Sequence, residues 1–87
     1  MLTQEQVNAV FAQLRIIHKA HWKAPKVEDV KKEIAQKGAF LFLIGKDPYV
    51  AQVRITEDTI SYEVNPALPE RMRMQANDMK RRFERLF

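Results

Sequence analysis

The sequence predicts one α+β domain over residues 1–87: two N-terminal helices, a three-stranded antiparallel β-meander and a C-terminal amphipathic helix, in the order ααβββα. Three observations predict it. Apolar side chains recur at helical spacing near the start of the chain and again near its end. Residues 49–64 alternate apolar and polar side chains around a short turn, the pattern of a hairpin with one packed and one wet face. All four prolines and both glycines fall between these segments or at their first position, where they act as breaks.

The first helix is expected over about Gln4 to Trp22. Thr3 and Gln6 have capping-box spacing, and Leu2 can staple to Val7 across the cap. Val7, Val10, Phe11, Leu14, Ile17, His18 and His21 follow the i, i+3, i+4, i+7 rule and should share the buried face. A second stripe, Ala9, Ala12, Ile16 and Ala20, lies opposite. Its small residues would let another backbone approach closely, which marks it as a candidate partner interface and makes a homodimer an expectation.

The second helix is expected over about Lys26 to Lys37, with Pro25 suited to its first turn. Val27, Val30 and Ile34 form its buried edge. Glu28 and Asp29 near its start, and Lys31, Lys32 and Lys37 towards its end, suit the helix dipole. Gly38 is the expected stop.

Ala39 to Ile44 is an unbroken apolar run between two glycines, too short for a helix, and reads as the first strand. It does not alternate. That predicts a central strand, or an edge strand whose second face is covered by a helix, a crossover or a partner chain, because a bare apolar edge invites aggregation. The second strand, Tyr49 to Thr56, turns inward Tyr49, Ala51, Val53 and Ile55. The third, Thr59 to Val64, turns inward Ile60, Tyr62 and Val64. Arg54 and Glu63 are expected to pair across this hairpin. After Asn65-Pro66 the last helix should run from about Pro69 to Leu86. Its core stripe would be Leu68, Met72, Ala76, Met79, Phe83 and Leu86.

Composition narrows the function classes. Hydrophobic residues make up 46% and charged residues 30% of 87 residues, a globular balance and not a disordered one. A chain of this size buries only roughly 60–65% of its surface. It has no cysteine, so neither a disulfide framework nor a Cys-based zinc site exists. The N-terminus lacks a basic stretch and carries Glu5, unlike a signal peptide, and no apolar run is long enough for a bilayer. The expected location is cytoplasmic, with no membrane partner. The net charge of +4 favours nucleic acid or an acidic protein surface as partner.

Two constellations could bind such a partner. Arg71, Arg81, Arg82 and Arg85 lie on the outer face of the last helix, with Met74 an apolar spot among them and Asp78 within i+3 and i+4 reach of Arg81 and Arg82. Lys19, Lys23 and Lys26 interleave with His18, His21 and Trp22, a mixture able to grip phosphate and stack on bases. His18 and His21, three apart on one helix face, could hold a metal, but no cysteine or third ligand accompanies them. Ser61 is the only serine and has no readable base. There is no glycine-rich phosphate loop. The expectation is a non-enzymatic binding protein without cofactor or metal. It would contact nucleic-acid phosphates through the basic C-terminal helix. The alternative is a protein-interaction module, of accessory or inhibitor type, working through an apolar surface formed by the first strand, Ala9, Ala12, Ile16 and Ala20, or Met74.

Overall fold

A computed structural model describes residues 1–86. The order is α1 (Gln4–His18), α2 (Val27–Lys37), β1 (Phe40–Ile44), β2 (Ala51–Ile55), β3 (Ile60–Val64) and α3 (Glu70–Arg85). The strands form one antiparallel sheet in the order β1-β2-β3. The ααβββα meander is therefore the architecture of the chain.

Local chemistry starts α1. Gln6 N–H donates to Thr3 Oγ1 at 3.2 Å, and Thr3 N–H donates to Gln6 Oε1 at 2.8 Å, so both halves of the capping box are made. The helix stops at His18, one turn short of the expected Trp22. Lys19 takes the left-handed conformation at φ 51° and ψ 44°. Two non-local contacts explain the early stop. The Arg15 guanidinium donates to the Trp22 carbonyl at 2.8 Å, and the Trp22 ring meets Phe42 edge-on at 5.2 Å. Residues 19–26 then return along α1 to its first turn.

There Gln4 closes the loop. Its Oε1 accepts from Val27 N–H at 2.7 Å and its Nε2 donates to the Pro25 carbonyl at 3.0 Å. Lys26, the N-cap of α2, makes no side-chain cap of its own. The amide of Gln4 satisfies one of the orphan N–H groups that begin every helix. Pro25 thus precedes α2 and is not in its first turn. Gly38 ends α2 at φ 85°, a left-handed position that suits glycine.

One face of the sheet carries the core. Phe42 and Ile44 of β1, Ala51, Val53 and Ile55 of β2, and Tyr62 of β3 point towards the helices. Val7, Val10, Phe11, Leu14 and Ile17 of α1 and Val30 of α2 meet them, with Phe83 of α3. The Phe11 ring packs edge-on against Phe42 at 4.9 Å, so α1 reaches β1. Its last residue, His18, stacks on Tyr62 at 5.9 Å and so reaches β3. Phe83 brings α3 onto Tyr62 at 5.6 Å. α2 and α3 therefore flank α1, on the β1 and β3 sides.

The corner between β3 and α3 is fastened by Asn65, the one buried polar residue among those described. Its Nδ2 donates to the Tyr49 carbonyl at 2.9 Å, its Oδ1 accepts from Ala67 N–H at 3.0 Å, and its own N–H donates to the Val50 carbonyl at 3.0 Å. A buried amide satisfied on every side specifies one geometry, since breaking any bond leaves a desolvated partner.

Four expectations are corrected. β1 lies at an edge and does alternate: Leu41 and Leu43 stand on the outer face, 49% and 57% exposed. Among the described residues no element packs over that face, although Glu33 and Lys37 of α2 border it beside Leu41. Met72 and Leu86 are exposed, so the expected core stripe narrows to Leu68, buried just before α3, and to Ala76, Met79 and Phe83 within it. His21 lies beyond the end of α1 and is exposed, off the apolar face. Glu63 sits opposite Gln52, whose Nε2 reaches its Oε1 at 3.5 Å, while Arg54 faces Ser61.

Among the described residues, no helix is long and apolar enough to cross a membrane.

Candidate nucleic-acid interface

α3 is amphipathic by sequence and is used that way. Ala76, Met79 and Phe83 fall on one side and pack inward. At 100° per residue the opposite side is Glu70, Met74, Asp78, Arg81 and Arg85, flanked by Arg71 and Arg82. All seven are exposed. The helix holds Arg71, Arg73, Lys80, Arg81, Arg82 and Arg85 against Glu70, Asp78 and Glu84. It therefore carries an excess of three positive charges in a chain whose net charge is +4.

Only one of these charges is spoken for. Arg81 pairs with Asp78 one turn earlier, both exposed, a contact of little energetic weight in water. Among the described residues, no carboxylate pairs with Arg71, Arg82 or Arg85. From Arg71 to Arg82 the helix rises about 16 Å. A duplex carries one phosphate charge per ~1.7 Å of axis, so the ridge spans several. Met74 is 61% exposed at its crown. The furrows beside it are lined by α3 alone, one of them by Glu70, Arg71, Met74, Gln75 and Asp78. A single convex helix offers a ridge and not an enclosing cavity.

The lysines do not join this ridge. Lys19 caps α1. Lys23 and Lys26 lie on the returning segment, whose Trp22 packs on β1 and whose Pro25 is tied to Gln4. That places them on the α2 flank of α1, away from α3. All three are exposed, but the fold separates Lys23 and Lys26 from Arg81, Arg82 and Arg85. The partner stripe of α1 is also outward. Ala9 is exposed, Ile16 is 69% exposed, and Ala12 and Ala20 are half-buried. Among the described residues, no element packs over Ile16.

The one perturbed cluster is internal. The Tyr62 hydroxyl and His18 Nε2 lie 2.9 Å apart. Burial pushes the Tyr62 phenol up to about 12 and pulls His18 below its ordinary 6.5. The phenol keeps its proton and the imidazole is favoured neutral, and the His18 tautomer sets which of the two donates. His18 faces Trp22 at 5.5 Å on its other side. This is a packed, hydrogen-bonded junction of α1, β3 and the 19–26 segment. His21 points elsewhere, so the two imidazoles share no face. Among the described residues, no three His, Asp or Glu side chains gather as metal ligands.

Sequence reasoning missed the roles of Gln4 and Asn65, while the inward position it expected for His18 is the one observed. It also left out Arg73 and Lys80, which add to the charge of α3 at its sides. Charge counting over residues 70–85 alone would have found these two. No protein-family model, no curated protein and no solved structure matches the chain.

Proposed function

We propose that this protein binds nucleic acid without catalysis, contacting phosphates through the outer ridge of α3. The observation that carries the reading is the unpaired, exposed arginine set Arg71, Arg82 and Arg85, with Arg81 beside them, on the helix that holds most of the chain's net charge. Arginine forks match phosphate oxygens, and such contacts fix position without reading bases. Binding is therefore sequence-independent and driven by counterion release. Met74, on the crown, adds an apolar contact to sugar or base.

Fluorescence anisotropy against labelled duplex DNA, single-stranded DNA and RNA over a salt series tests this. Four phosphate contacts give a duplex log–log salt slope of about −3 to −4. An Arg81→Glu/Arg82→Glu/Arg85→Glu variant loses binding while keeping its helical circular dichroism. No binding at low salt, or binding unaltered in the variant, refutes the reading.

A second reading rests on a different observation. The exposed Leu41, Leu43 and Ile16 support a protein-interaction module that uses apolar surface in place of charge. Its signature is retention of partner binding in the triple arginine variant.

A further inference from the structure

β1 is an edge strand whose free side carries unpaired backbone groups. The ladder shows which. Thr56 N–H donates to the Thr59 carbonyl at 2.8 Å, and Asn65 N–H to that of Val50 at 3.0 Å. Even-numbered residues of β2 therefore bond to β3. By the alternation of antiparallel pairing, odd-numbered Ala51, Val53 and Ile55 bond to Ile44, Phe42 and Phe40. Leu41 and Leu43 are left with N–H and C=O directed out of the sheet. No backbone or side-chain hydrogen bond reaches these groups among the described residues. The same two residues hold the exposed leucine side chains of the outer face.

We propose that this edge pairs with β1 of a second copy, antiparallel, about a two-fold axis through Phe42. The axis sets Leu41 beside Leu43 of the second copy, twice. Both residues have outward backbone groups, so the pairing makes four main-chain hydrogen bonds and joins the four leucines into one apolar cluster. Charge selects the same arrangement. Asp47 lies five residues after Phe42 and Lys37 five before it. The two-fold sets the start of β1, which follows Lys37, beside the end of β1 of the second copy, which leads into Asp47, at both ends of the joint. Lys46 beside Asp47, and Glu33 one turn before Lys37, repeat that complementarity with the signs exchanged. A parallel pairing would set Lys37 against Lys37 and Asp47 against Asp47.

The edge carries none of the usual guards: no proline, no charge and no bulge within Phe40–Ile44. The pairing is two-fold and uses the β1 edge of both copies, so it closes at two copies and gives a six-stranded sheet. The contact area is small. The dimer is accordingly weak, with Kd of roughly 10 μM to 1 mM.

Sedimentation equilibrium of the full chain without nucleic acid, with amide exchange at two protein concentrations, tests the proposal apart from the α3 reading. The wild type shifts from monomer to dimer as concentration rises, and the Leu41 and Leu43 amides become slower to exchange. Leu43→Pro removes an outward N–H together with one of the clustered leucine side chains, a substitution edge strands tolerate, and gives a monomer with unaltered circular dichroism. Lys37→Asp weakens the dimer by about 10-fold, which is about 1.4 kcal/mol, and Lys37→Asp/Asp47→Lys restores it. A monomer at every concentration overturns the proposal. So does a dimer indifferent to Leu43→Pro, or exchange at Leu41 and Leu43 independent of concentration.

Discussion

The two edges of the sheet are finished differently. Beside β3 the chain returns as α3, and the rings of His18, Tyr62 and Phe83 touch in series across three elements. Asn65 fastens the corner that makes this return possible. Along β1 nothing returns. Its inner side chains pack under α1 and α2, while Leu41 and Leu43 face outward. The difference teaches that one strand can be apolar throughout yet be half core and half surface. Stability is invested on the inner face beside β3, and apolar side chains are left on the outer face at β1.

That contrast fixes the order of expected effects. Phe83→Ala removes the ring that holds α3 on β3, where it is 1% exposed, and should cost about 3–5 kcal/mol in a urea titration. A loss below about 1 kcal/mol would mean that α3 is held elsewhere.

Protonation of His18 comes next. Burial lowers its folded pKa below 6.5, so the unfolded chain binds the proton more readily. The stability gained from keeping His18 neutral is complete above pH 6.5, and is lost as pH falls through the folded value. Thermal melts should therefore show a lower Tm at acid than at neutral pH, and a smaller drop in His18→Gln. An equal drop in the variant would place the acid sensitivity in the carboxylates. The smallest effect belongs to the β1 edge. Leu41→Ala in dilute protein should change stability by no more than about 0.5 kcal/mol. A larger loss would show that the outer face is packed in solution.

Most of the fold was legible because its signals are local. Thr3 and Gln6 announce the start of α1, Gly38 ends α2, and the alternation of residues 49–64 gives both hairpin strands and their inward faces. The errors share a physical cause, which is contact between residues distant in sequence. Helical periodicity continues through His21. The chain nevertheless leaves the helix at Lys19, because Trp22 packs on Phe42 and its carbonyl accepts from Arg15. Nothing near Lys26 reveals that its helix is capped by Gln4, 23 residues before Val27. Met72 and Leu86 fit the apolar stripe in sequence but are exposed, whereas Leu68, Ala76 and Phe83 on the same stripe are buried. The arginine ridge was legible, because the outer face of a helix follows from the inner one. Its separation from Lys23 and Lys26 was not, because that depends on where the 19–26 segment returns.

The central claim is that the outer ridge of α3 is the binding surface. The direct measurement is an NMR titration of the full chain with a short duplex, following backbone amides and arginine side chains. The account predicts shifts concentrated at Arg71, Met74, Arg81, Arg82 and Arg85, with the outer sheet residues Leu41, Gln52 and Arg54 unmoved. Shifts centred on Leu41, Leu43 and Arg54, or none in α3, would contradict it.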